Sequence, residues 1–306
     1  MKSLFKLKTD IIKNFFIFLI SVLLIVISLE IFCRTVLNTG NRFEFEMAKY
    51  AKNLKIVNKT NSNIVNHIPN KKIKLMGAEV ITDTNGFRIK NIEKQIIDSN
   101  NKIVLMLGDS VTFGFGSKET FSEYLEHKFN QYKFLNTGVG NTSTIMQIER
   151  FFHQFKEIKS DIIILNFFIN DLEEVKYNKK KWYHKLYVYN FITYNGKIIS
   201  IKLGLNRNNK NFYQNTFLNK DILSKTLNKI DQLNQYTKKN NIDFFINIIP
   251  DFRYLNNYPF LDEEKKLTDY FIKNEIKYIQ GINFLKNNDS EKFWVSKNDA
   301  HPNEKG

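Results

Sequence analysis

Four short clusters carry residue types that do chemistry together. The first is IVLMLGDSVTFGFG, residues 103–116, in which Ser110 follows a continuous apolar run and Gly108. A serine hydroxyl becomes a nucleophile only when a base takes its proton and a carboxylate orients that base. The second cluster, DAHPN at 299–303, offers both: His301 as the base and Asp299 two residues before it, with Pro302 stiffening the loop. The third is IND, where Asn170 and Asp171 come directly after the apolar run IIILNFF, so that an amide can donate to a developing oxyanion. The fourth is NTGVGNTST, where Gly138 and Gly140 permit close backbone approach to a substrate. Each also has a plain structural reading. Gly-Asp-Ser after a strand makes a helix cap, and a lone histidine is ordinarily a surface residue, which is how His67, His127, His153 and His184 read.

The elements that must position these groups come from the apolar pattern. Continuous apolar runs at 103–108, 134–139, 162–168 and 244–249 predict strands covered on both faces. Amphipathic stretches at about 118–131, 143–158 and 220–239 predict helices between them. Strand–helix alternation of this kind predicts an α/β fold with a parallel sheet between helical layers. Ser110 and Asn170 then fall at the carboxyl ends of two strands, the edge where open parallel sheets bind ligands.

Before that domain lies a different kind of segment. Residues 14–36 contain FFIFLISVLLIVISLEIFCRTV, long enough to span a hydrocarbon core. Lys2, Lys6, Lys8 and Lys13 precede it and Arg34 alone follows closely, so the positive-inside rule predicts a cytoplasmic tail at 1–13 and the rest outside. No small-x-small cleavage site follows, and Phe32 before Cys33 is too bulky for lipoprotein processing, so the segment reads as an uncleaved anchor in the cell membrane rather than a signal peptide. Residues 37–80 are polar without a clear period and read as a stalk. The stretch 176–217 breaks the strand–helix rhythm with KKKWYHKLYVYNFITYNGK. It reads as a lid, a membrane-surface patch, a glycan-stacking surface or a small helical insertion.

Composition narrows the rest. At 306 residues and 42% apolar content the chain holds one sizeable core. The formal net charge of +15 invites a nucleic-acid reading, but the lysines are scattered and no nucleic-acid motif appears. A solvated basic surface, or attraction to an anionic envelope, is the better account. The one cysteine, Cys33, rules out an internal disulfide framework. Nothing points to a cofactor or a metal.

Taken in order, GDS, a Gly/Asn block, ND and a late DxH resemble the SGNH (GDSL-like) hydrolase superfamily. The resemblance implies Ser110 as nucleophile, Gly140 and Asn170 as oxyanion donors beside the Ser110 N–H, His301 as base and Asp299 as the triad acid. It also implies a three-layer α/β/α flavodoxin-like sandwich over residues 81–306. ITDTNGFRIKN, residues 81–91, is similar to an Asn-x-Gly-Phe-Arg stretch of membrane-anchored, envelope-facing members. The activity implied is ester hydrolysis on O-acyl groups of an envelope glycan, or O-acetyl transfer by the same site, or a non-catalytic glycan-binding role that keeps the fold. Three departures stand out. Phe168 occupies the usual glycine position of the third block, Asn141 competes with Gly140 in GVGN, and Asn298 stands where an acid three before the histidine is common. The resemblance further implies a closing helix beyond Gly306.

Overall fold

A computed structural model describes residues 2–91, 101–175, 177, 181–206, 208–297 and 299–306. The chain begins with helix α1 (Lys2–Phe32), followed by one wide helical turn at Cys33–Leu37. Its segment Asp10–Leu37 is long and apolar enough to cross a membrane, and its apolar side chains from Ile11 to Ile31 are exposed. Helix α2 (Phe43–Asn53), strands β1 (Lys55–Val57), β2 (Val65–His67), β3 (Lys72–Leu75) and β4 (Ala78–Thr82), and the short β5 (Arg88–Ile89) come next. The rest runs β6 (Lys102–Leu107), α3 (Ser110–Phe113), α4 (Phe121–Lys128), β7 (Tyr132–Asn136), α5 (Thr144–Arg150), β8 (Ile162–Phe168), α6 (Tyr187–Lys202), α7 (Asn209–Leu218), α8 (Lys220–Lys239), β9 (Asp243–Ile249), α9 (Leu261–Lys273), β10 (Lys277–Gln280), α10 (Ile282–Leu285), β11 (Trp294–Ser296) and β12 (Asp299–Pro302).

The strands of the main sheet lie in the order β10-β9-β8-β6-β7-β5-β4-β3. Five are parallel, with β6 between β7 and β8, so the chain winds outward to β7 and then crosses back to β8. That is the flavodoxin-like doubly wound order, and its switch point is the crevice between the carboxyl ends of β6 and β8. The sequence explains the layers. Val104, Leu105, Met106 and Leu107 are buried at successive positions of β6, as expected for a strand covered on both faces, and Ile163, Leu165, Phe167, Ile246 and Ile248 are buried in its neighbours. Helix α8 turns Thr226, Ile230, Leu233 and Thr237 inward at helical spacing, and Asn219 caps its start by accepting from the N–H groups of Asp221 and Ile222.

The expected stalk is not one. Residues 43–82 fold onto the domain: β3 and β4 extend the main sheet through antiparallel pairs, and Phe45, Tyr50, Leu54, Ile64, Leu75 and Val80 are buried. The polar surface of this segment hid an apolar set whose period is interrupted by turns, so pattern alone read it as unstructured. The domain therefore begins before residue 81. The irregular stretch 176–217 holds α6 and most of α7 and is a helical insertion; Lys176, Asn178, Lys179, Lys180 and Arg207 lie outside the described residues.

Candidate active site

Strand β6 ends at Leu107, and Asp109 caps the single turn α3 by accepting from the Val111 N–H at 2.8 Å. This turn lifts Ser110 off the sheet edge. The loop that follows is held by Arg88 of the NGFR stretch. Its buried guanidinium donates to the carbonyls of Phe113 (2.9 Å), Gly114 and Ser117 (2.7 Å); the Gly114 carbonyl also accepts the Ser117 N–H at 3.1 Å. Burial draws the Arg88 pKa down to about 10, which still leaves it charged at neutral pH.

From the far end of the chain, β11 and β12 form a hairpin that lies against α3. Trp294 Nε1 donates to the Phe252 carbonyl at 2.8 Å, and Asn303 Nδ2 donates back to the carbonyls of Lys292 and Trp294, which holds the hairpin in place. The Ser110 hydroxyl donates to His301 Nε2 at 2.9 Å, and His301 Nδ1 donates to Asp299 Oδ1 at 2.5 Å. The same carboxylate oxygen accepts the His301 backbone N–H at 3.1 Å. Asp299 is buried, so the imidazole is oriented by a carboxylate shielded from water. Asn298, the other candidate position for the acid, lies outside the described residues.

Burial pushes the His301 pKa down, but the charge and hydrogen bond of Asp299, then the charge of Asp109, outweigh it, and the net shift is upward. Asp109 is raised by its own burial, against the opposing pull of its hydrogen bonds and of His301. Its Oδ2 stands 3.3 Å from Ser110 Oγ, a second acceptor competing for the hydroxyl proton.

Asn170 sits on a one-turn 3-10 helix (Ile169–Leu172) directly after β8, across the switch point from Ser110. Asp171 braces that turn from below, accepting the Phe168 N–H at 3.1 Å, and burial followed by the charge of Asp109 raises its pKa well above the usual carboxylate range. Phe168 has φ −106°, ordinary extended backbone, so the glycine usual at that position is not needed for conformation.

Gly138 and Gly140 are glycines for contact reasons. A Cβ on Gly138 would stand 2.3 Å from the Phe113 nitrogen, and one on Gly140 would stand 3.0 Å from Tyr50 Cε1 and 3.3 Å from Ser110 Cβ. Gly140 thus adjoins the nucleophile, whereas Asn141 is exposed with φ +57°. The Gly140 N–H, however, already donates to the Tyr50 hydroxyl at 2.8 Å. That hydroxyl in turn is hydrogen-bonded at 2.8 Å to Nε2 of His67, whose pKa burial drives well below the usual value, so His67 is neutral. As an oxyanion donor, Gly140 would first have to release Tyr50.

Several neighbours escaped the sequence reading. Phe43 stacks on His301 (centroids 6.1 Å, 25°), and Phe115 lies 5.2 Å from the same ring. Tyr50 and Phe43 belong to the segment read as stalk, and His67, read as a surface histidine, is buried beneath Phe113. Arg253, beyond the end of β9, pairs with Asp251 at 2.9 Å and lowers the His301 pKa in part. No motif marks any of them; their roles follow from packing.

The hydrogen-bonded Ser110–His301–Asp299 chain lies at the switch point of the parallel sheet. Comparison of the sequence with protein-family models and with curated proteins finds no match. Solved structures similar to this chain include a lipase from a goat rumen metagenome (16% identical, covering 67% of this chain and 92% of that one, TM-score 0.41). Another is a two-domain esterase active on acetylated mannans (14%, 67% and 45%, TM-score 0.40). A third is an SGNH-hydrolase family esterase (13%, 60% and 77%, TM-score 0.36).

Proposed function

We propose that this chain is a membrane-anchored serine ester hydrolase of the SGNH type. The observation that carries the reading is the chain of hydrogen bonds from Ser110 Oγ through His301 to buried Asp299. Ser110 Oγ attacks the acyl carbonyl while its proton passes to His301 Nε2. The resulting oxyanion is met by the Ser110 N–H and the Asn170 amide, with the Gly140 N–H joining if Tyr50 yields it. The imidazolium then gives its proton to the departing alcohol oxygen, leaving an acyl-enzyme. Water, deprotonated by His301, releases the acid.

The substrate in this reading is an O-acyl, most simply acetyl, group on an envelope glycan outside the cytoplasmic membrane. Two features support it: the apolar span of α1 with the lysines toward its N-terminal end, and the similarity of residues 81–91 to envelope-facing members of that superfamily. The same acyl-enzyme becomes an O-acetyltransferase when a sugar hydroxyl takes the place of water. The test is fluorophosphonate labelling of the detergent-solubilised full chain, with and without Ser110. Labelling that survives Ser110→Ala rejects the mechanism. Partition of an acetyl-enzyme between water and added oligosaccharide then separates the two outcomes.

A further inference from the structure

We infer that α6 and the turn after it lie in the outer headgroup layer of the bilayer that α1 crosses, as an interfacial platform beneath the active site. The inference rests on reading α1 as a span and goes beyond the esterase chemistry.

The exposed apolar surface of α1 runs from Ile11 to Ile31, about 30 Å at ~1.5 Å per residue, the thickness of a hydrocarbon core. Its end is marked by a charged pair, Glu30 with Arg34 at 2.6 Å, which belongs at the level of the headgroups. Glu30 does something further there. Its carboxylate accepts the N–H groups of Tyr187 (3.1 Å) and Val188 (2.9 Å), the first residues of α6. Arg34 stacks over the Tyr187 ring at 4.7 Å, and Cys33, Phe45 and Val188 close a small apolar cluster around the junction. The start of α6 is therefore pinned to the last turn of α1.

Helix α6 is apolar over a wide arc. Part of it carries Val188, Phe191 and Tyr194 inward, toward α1 and α2. Beside these, Ile192 and Ile199 follow Val188 at i+4 and i+11 and, with Leu203 at the C-cap, form an outward strip, each at least 56% exposed; Leu205 in the following turn is 75% exposed. The arc is wider than the contacts with α1 and α2 cover, and the exposed strip is open to a second apolar phase. Lys181, Lys185, Lys197 and Lys202 are exposed around it, and Trp182, 73% exposed, precedes it. Aliphatic side chains with aromatic and lysine neighbours are the composition that settles at an anionic membrane surface. The bilayer is the occupant because this face continues from the helix that would already be in it. One consequence concerns the site: Tyr194 touches Phe43 and Phe43 stacks on His301, so the triad sits one aromatic layer above the platform and receives esters presented at the membrane surface.

The experiment is site-directed spin labelling of the full chain in vesicles of phosphatidylethanolamine and phosphatidylglycerol. In a Cys33→Ser background, nitroxides are attached one at a time at Ile199→Cys, Leu203→Cys, Leu24→Cys in α1 and Phe284→Cys, which is 76% exposed on α10. The expected result is that labels at 199 and 203 collide with oxygen and are shielded from a water-soluble nickel chelate, as at 24, while the label at 284 does the reverse. Labels at 199 and 203 that behave as at 284, with 24 in lipid, overturn the platform. Shielding of both from oxygen and nickel alike overturns it in favour of a protein surface or second copy. An aqueous label at 24 removes the span and the platform with it. Fluorophosphonate labelling of each variant reports the catalytic reading separately.

Discussion

His301 is the residue on which pH dependence turns. In the proposed mechanism it is the base and must be neutral, and against the downward push of burial Asp299 holds its pKa above the ordinary value near ~6.5. Activity should therefore fall on acidification with a midpoint above that value. Protonation stabilises the fold in the opposite sense: the contribution is full below the unfolded-state pKa and fades as pH rises through the raised folded one. Asp299→Asn should move the acid limb of the pH–rate profile downward and cut the maximal rate steeply, because the tautomer is no longer held. A profile unchanged in both respects would remove Asp299 from the mechanism. Ser110→Ala should abolish turnover of an aryl acetate in a protein whose circular dichroism is unaltered. Asn170→Ala should lower kcat by about 100-fold or more with little change in KM, as loss of an oxyanion donor does. A loss confined to KM would make Asn170 a substrate-positioning group instead.

At the scale of elements, the nucleophile turn is held by groups outside the parallel sheet. Arg88, from the short β5, satisfies three carbonyls of the loop after α3, and Tyr50, from α2, holds the Gly140 N–H. Arg88→Met should leave the Phe113 and Ser117 carbonyls without that donor, while Gly114 keeps the Ser117 N–H, at a cost of about 1–3 kcal/mol for each group left unsatisfied. The expectation is a large drop in the melting temperature together with lost activity; a stable, active Arg88→Met protein would show that water replaces the guanidinium. Tyr50→Phe is the sharper probe. It frees the Gly140 N–H while keeping the ring that packs on Phe113 and Phe115. If Gly140 serves the oxyanion, kcat should rise or hold despite some loss of stability from the unpartnered His67. A fall in kcat at constant stability would assign Tyr50 itself to the site.

For the whole molecule, the decisive finding is that the N-terminal helix and the domain are joined by contact and not by a tether. Glu30 caps α6, and Cys33 is buried against Phe45 and Val188. Removing residues 1–36 therefore does more than release a soluble domain: it uncaps α6 and opens an apolar pocket. Glu30→Ala in the full chain isolates the cap. A lost cap is worth about 0.5–2 kcal/mol, which for a chain of this size lowers the melting temperature by a few degrees, measured calorimetrically in detergent micelles. No shift would mean that the junction contributes nothing to the fold.

Local sequence was enough for the parts whose physics is local. The strands at 103–108, 162–168 and 244–249 and the helix at 220–239 declare themselves by period, and Ser110 and His301 by their neighbours in GDS and DAHP. The order of strands, the 2.9 Å approach of two residues far apart in the chain, and the folding of 43–82 onto the site were not legible. Each depends on which surfaces meet. Phe43, Tyr50 and His67 lie in short elements separated by turns, too brief for a period to emerge, and their apolar character is resolved only by the cavity they fill. The Gly140 N–H is the clearest case. The sequence marks the glycine, but only tertiary packing brings the Tyr50 hydroxyl to its hydrogen, because a backbone donor takes whichever acceptor the fold delivers.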